Sequence, residues 1–231
     1  MKRGLSILTV ILTVTLMILT LDAAKYKPAD TFTEKNPLVI FDFDERGSFN
    51  NIGGMYGVFD ANPNDREAYC RMSNKRDKDL HNKGYYLKIK YDVDSSQAAF
   101  NGLWAKMNGI NISKFGALGI TIKGDSKDGF NDFFKVELKT KDTKIESYLE
   151  DITDKWQKIV IPFEDFEGDI EDFDWSNLAE FTMVFEDWRF KSKTGTYYID
   201  DIVFIPKKGA TVKYEDVMAK PGKQDKKEKK K

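Results

Sequence analysis

The chain has 231 residues but only one histidine, His81, and one cysteine, Cys70. A lone cysteine cannot close an intrachain disulfide, so stability has to come from a hydrophobic core or a bound metal. Zinc centres and Ser-His or Cys-His nucleophile systems need several such side chains, and both are therefore excluded as classes. Cys70 is expected to be inert. His81 stands in the polar run SNKRDKDLHNKG and is expected in a solvated loop. Proline is also scarce, at 6 residues, and glycine reaches only 16, so the chain is not low-complexity. No stretch of twelve residues shows a helical stripe of apolar side chains.

What is present is aromatic and charged. There are 17 Phe, 10 Tyr and 4 Trp, and 32% of the residues are charged. The formal net charge of -1 is unevenly distributed. Residues 1–24 carry a net of +1 and residues 207–231 a net of +6, which leaves -8 on the body at 25–206. An acidic body argues against nucleic acid as a partner.

Residues 1–24 read as a signal peptide: Lys2-Arg3, then the apolar run LSILTVILTVTLMILTL, then small residues. The product is expected in the periplasm or outside the cell, with an uncleaved membrane anchor as the alternative. Residues 25–37 read as a linker. Residues 207–231 read as a disordered Lys-rich tail, with attraction to an anionic envelope surface as its sharper use.

Between these ends the sequence predicts nine strands, at 38–44, 85–93, 100–107, 117–125, 133–141, 144–152, 156–163, 179–187 and 195–206. They are rich in β-branched and aromatic residues, and several alternate. In FFKVELKT, Phe134, Val136 and Leu138 face one way, and Lys135, Glu137 and Lys139 the other. KTKDTK is a hairpin signal. Residues 45–84 read as one long loop region. Nine strands without intervening helices predict an all-β fold, an antiparallel two-sheet sandwich over 38–206.

The run IFDFDERGSFNNIGGMYGVFD resembles the opening of the galactose-binding-like jelly rolls. Its first strand ends in acids and is followed by a turn and an aromatic, carried here by Asp42, Phe43, Asp44, Asn51, Gly53, Gly54 and Tyr56. GYYLKIKYDV with FNGLWAKM, WQKIVIPFEDF and YYIDDIVF match further segments in order. Within that group the chain is most similar to family 11 carbohydrate-binding modules and the complex I intermediate-associated protein 30 family. The resemblance implies a jelly roll whose first and last strands are neighbours. It also implies a non-catalytic polysaccharide or glycan binder, and the chain is expected to be a monomer. Relatives of this fold often hold a structural calcium, and Asp44, Asp200 and Asp201 are the ligands it suggests, near Asp42 and Glu45. Concentrated carboxylates favour such an ion on physical grounds as well.

A sugar ring presents a flat apolar face and a rim of hydroxyls, so its site needs exposed aromatics and fixed polar groups. The candidates are Tyr56, Tyr86, Trp104, Tyr148 and Trp188, with Arg189, Glu137, Glu146 and Asp187 as polar partners. Trp156 reads as core. Two other classes stay open at this point: an envelope assembly factor, and a glycosidase or lyase that uses paired carboxylates.

Overall fold

The computed structural model describes residues 29–44, 47–62, 64–76 and 84–218. The apolar leader, Glu45 and His81 lie outside them. Among the described residues there are fourteen strands, beginning with β1 (Thr31–Phe32), β2 (Leu38–Phe41), β3 (Tyr56–Asp60), β4 (Tyr69–Arg76), β5 (Tyr85–Asp92), β6 (Phe100–Ile110) and β7 (Phe115–Gly124). There follow β8 (Phe134–Lys139), β9 (Lys144–Leu149), β10 (Gln157–Pro162), β11 (Glu167–Gly168), β12 (Leu178–Glu186), β13 (Thr194–Pro206) and β14 (Val212–Lys213). Among the described residues the only helices are a 3-10 turn at Phe163–Asp165 and one turn, α1, at Tyr214–Val217.

Two six-stranded sheets form the body. The first has the order β10-β7-β13-β5-β4, with β2 also paired to β13; the second has the order β11-β9-β8-β12-β6-β3. Both consist of antiparallel pairs. The first and last long strands are neighbours, with Ile202 opposite Phe41. The KTKDTK hairpin joins β8 to β9, closed by the Thr140 N–H donating to the Thr143 carbonyl at 2.9 Å.

The core explains the sheets. Phe134, Val136 and Leu138 are fully buried, whereas Lys135 and Lys139 keep part of their surface on the opposite face. Between the sheets lies a slab of rings: Tyr91 stacks on Phe185 at 4.9 Å and on Tyr197 at 5.5 Å between centroids. The two buried hydroxyls are not left bare. Asn131 Nδ2 donates to Tyr91 Oη at 2.8 Å, and Tyr197 Oη donates to the Asn131 carbonyl at 2.9 Å. Burial pushes the Tyr91 hydroxyl up to about 12, so the network stays neutral at ordinary pH.

The structure corrects three sequence expectations. Residues 45–84 are not one loop, because they contain β3 and β4. β4 is a polar edge strand whose inward positions include Cys70, a small residue that fills the core; burial pushes its thiol well up. The expected linker contributes β1, which pairs with β14 from the expected tail. Phe32, Val212 and Val217 are buried, so the fold extends to both ends of the described residues.

Candidate functional site

The second sheet turns one face to the core and the other to solvent. Register aligns the outward residues into rows across the strands. One row runs Gly57, Trp104, Thr182, Glu137, Glu146 and Glu167; the next runs Phe59, Gly102, Val184, Lys135 and Tyr148. Four sequence candidates, Trp104, Glu137, Glu146 and Tyr148, thus share a face although they come from three strands.

Two glycines shape its aromatic side. A Cβ on Gly57 would stand 3.1 Å from Trp104 Cζ2 and 3.3 Å from Cε2, so the indole lies down over the glycine of the neighbouring strand. A Cβ on Gly102 would strike the Met183 carbonyl oxygen first and would also stand 3.1 Å from Phe59 Cε1, so this glycine admits the neighbouring backbone as well as the Phe59 ring. Lys106 Nζ also stands over the Trp104 ring, 5.7 Å from its centroid, so the indole is flanked by a cation as well as by the glycine. Beyond Phe59 the file continues along β6 to Phe100, at 6.3 Å between centroids, and then to Trp188 at 6.1 Å. Phe100 is 40% and Trp188 57% exposed. Gly57→Ala is expected to tilt the indole and weaken ligand binding several-fold with little change in melting temperature, read by calorimetry beside a thermal melt.

Charges fill the rest of the face. Lys135 Nζ lies 2.7 Å from Glu186 Oε1 and 3.4 Å from Glu137 Oε1, and all three side chains are largely buried. Glu137 also meets Lys139 at 2.9 Å and Lys144 at 3.1 Å, while Lys139 and Lys106 both reach Glu180. Burial opposes the charge on Lys135, but Glu186, Glu137 and Glu146 outweigh it and raise its pKa. Burial likewise opposes the charge on Glu137, but Lys139 and Lys144 outweigh it and lower its pKa.

The signs fix a pH window. A depressed Glu137 stabilises the fold above its unfolded value near 4.5, and that contribution disappears as pH falls through the folded pKa. A raised Lys135 stabilises below 10.5, and that contribution is lost as pH rises through its folded pKa. The melting temperature should therefore be insensitive to these two groups between about pH 5 and 10. Glu137→Gln should flatten the acid limb of a melting-temperature series; an unchanged limb would remove Glu137 from that role.

Arg189 stands over the Tyr148 ring, its guanidinium carbon 5.1 Å from the centroid, and so joins this face from the loop after β12. Asp187 instead supports the chain, with Oδ2 accepting from the Ala99 N–H at 3.2 Å. Tyr56 is not on the face. It is 4% exposed, edge-on to Phe41 at 5.1 Å, and its hydroxyl donates to the Gly47 carbonyl at 3.0 Å, so it belongs to the core. Tyr86 lies on the other sheet, against Trp156 and Tyr198. Trp156 is half-buried on that outer surface rather than in the core. The sequence reading missed Phe59, Phe100 and the glycine seats; outward alternation on β6 was the signal for Phe100.

Among the described residues no group of three or more His, Cys, Asp or Glu side chains could hold a metal ion. Asp44 Oδ1 accepts from the Tyr85 N–H at 2.8 Å, and the Asp44 N–H donates to Asp42 Oδ1 at 3.2 Å. Asp200 is buried and Asp201 half-buried beside a register shift of β13.

A two-sheet antiparallel sandwich that presents seated aromatic rings beside a fixed carboxylate and ammonium lattice has the make-up of a sugar-binding module. The chain belongs to the carbohydrate binding domain 30 family, whose model matches residues 47–206, and it is a non-catalytic carbohydrate-binding module. Its fold is similar to the family 11 carbohydrate-binding module of a cellulosomal cellulase of Clostridium thermocellum. That match has a TM-score of 0.56 at 14% identity and covers 75% of this chain and 96% of that one. A family 11 module from the same organism, in complex with a β-1,3-1,4-mixed-linked tetrasaccharide, matches at TM-score 0.56 and 15% identity, covering 74% and 96%. An exo-β-agarase matches at TM-score 0.52 and 13% identity, over 74% of this chain and 25% of that one. A search of curated protein sequences gives no match.

Proposed function

We propose that the outer face of the second sheet binds a neutral polysaccharide, its sugar rings lying along the aromatic file from Trp104 to Trp188. The observation that carries this reading is the pair of rings seated on glycines, Trp104 on Gly57 and Phe59 on Gly102. The charge balance supports neutrality in the ligand. Lys106, Lys135, Lys139 and Lys144 face Glu137, Glu146, Glu180 and Glu186, four of each sign. Because these groups hold one another in place, they offer sugar hydroxyls hydrogen-bond partners at little further ordering cost.

A β-1,3-1,4-mixed-linked oligosaccharide, the ligand of the family 11 module above, is the first probe. Calorimetry against it and against xylan and mannan oligosaccharides tests the reading. Binding that changes little with salt is expected, since stacking is not a charge effect. No heat with any neutral polymer would overturn it. The apolar leader supports an exported location, checked by sequencing the mature protein, which is expected to begin near Ala24 or Lys25.

A further inference from the structure

The first sheet carries its own pattern on the surface turned away from the core, and the neutral-sugar reading does not use it. Lys123 on β7 lies opposite Tyr198 on β13, and Tyr198 lies opposite Lys88 on β5. Gln157 pairs with Ile122, so Trp156, just before it, extends the same row beyond Lys123. The row reads ring, ammonium, ring, ammonium, with neighbours on strands about 4.8 Å apart.

Tyr86 joins it edge-on, 5.4 Å from Tyr198 and 5.7 Å from Trp156 between centroids. The ammonium groups are held among these rings. Lys123 Nζ is 5.2 Å from the Trp156 centroid and 5.1 Å from that of Tyr198, and Lys88 Nζ is 5.7 Å from Tyr198. All five side chains are half-buried. Cation–π attraction positions both ammonium groups at the surface, and Lys88 is paired with Asp128 in addition.

Strand alternation places Arg71, Lys75, Lys90 and Lys158 on the same surface, since Arg71 pairs with Lys90 and Lys75 with Tyr86. Acids also stand near the row. Asp92 shares the surface, Asp200 and Asp201 sit where the register of β13 shifts, and the loop after β7 brings Asp125 and Asp128 to the row. Asp128 lies 3.4 Å from Lys88 Nζ, and Tyr198 Oη donates to Asp125. With the two loop acids included, six cations face five acids on this surface, a local excess of one on a body whose net charge is -8.

We propose that this surface is a second carbohydrate site, for a polyuronate, whose sugar rings pack against Trp156, Tyr198 and Tyr86 while its carboxylates meet Lys123 and Lys88. The ring-and-cation pair recurs every second strand, about 9.6 Å apart, which suits a polyuronate that turns the ring face and the anion of every second sugar toward this surface. Charge complementarity selects an acidic polymer here, whereas the balanced lattice of the other sheet selects a neutral one.

The test is calorimetry of the full chain with a soluble oligogalacturonate at low and at moderate salt. Binding is expected, and it should weaken as salt rises. The double variant Lys88→Ala/Lys123→Ala should lose roughly ten-fold in affinity. Lys88→Arg/Lys123→Arg should retain most of it, and an unchanged melting temperature shows that both variants fold. Trp104→Ala should leave oligogalacturonate binding intact, so failure of this site and failure of the neutral-sugar site read out separately. The proposal is overturned by no binding, by binding that the double alanine variant leaves unchanged, by displacement with a neutral glucan, or by tighter binding of oligothymidylate at the same residues.

Discussion

Trp104→Ala is expected to lower the affinity for a neutral β-glucan oligosaccharide by one to two orders of magnitude. A central stacking residue contributes about 2 kcal/mol or more, and each 1.4 kcal/mol is tenfold. The loss should fall on binding and not on folding, because Trp104 is half-buried on the outer face while its neighbours Leu103 and Ala105 are fully buried in the core. Trp188→Ala should cost less, since its ring is 57% exposed and stands at the end of the file. Titration calorimetry on both variants, with melting curves alongside, decides the matter. If Trp188→Ala were the more damaging of the two, the centre of the site would have to move to the loop after β12.

The second large effect concerns Lys135. Its side chain is 12% exposed, and it lies 2.7 Å from Glu186, which is 5% exposed. Lys135→Ala leaves Glu186 buried without this partner and should cost about 3–5 kcal/mol. Lys135→Ala/Glu186→Ala should recover part of that, since removing both charges also removes the desolvation penalty. Urea unfolding of the two single variants and the double variant completes the cycle. Equal losses in Lys135→Ala and in an exposed control such as Lys127→Ala would show that the lattice carries no stability.

How much of this was legible in the sequence depends on the range of the interaction. Alternation within one strand is local, so Phe134, Val136 and Leu138 announced β8 and its buried side. β4 failed the same reading because YCRMSNKR is too polar to look like a strand; it forms because its backbone completes the sheet beside β5. Tyr56 misled because tyrosine is at home both on surfaces and in cores, and its partners Phe41 and Phe43 lie too far back along the chain to be assigned by eye. The glycine seats were invisible for a related reason. Gly57 matters only because register sets it opposite Trp104, 47 positions later. Alternation put Lys135, Glu137 and Lys139 on one face and made Glu137 a polar candidate, but it could not show their pairing. Their cross-strand neighbours Glu186, Lys144 and Glu180 convert the three into a lattice.

The pairing of β1 with β14 bears on how the module responds to mechanical load. Thr31 pairs with Lys213 and Phe32 with Val212, so the chain enters and leaves the described fold side by side. Tension applied between residues 29 and 218 would act across that pair and not along it, opening its hydrogen bonds one after another. The next pairing reached, Leu38 with Phe204, is antiparallel in the same sense and would peel in turn. A pull from both ends thus meets a zipper, which yields at lower force than strands sheared lengthwise. A pull between either end and the body of the sandwich also loads that pair first, because among the described residues β1 and β14 pair only with each other.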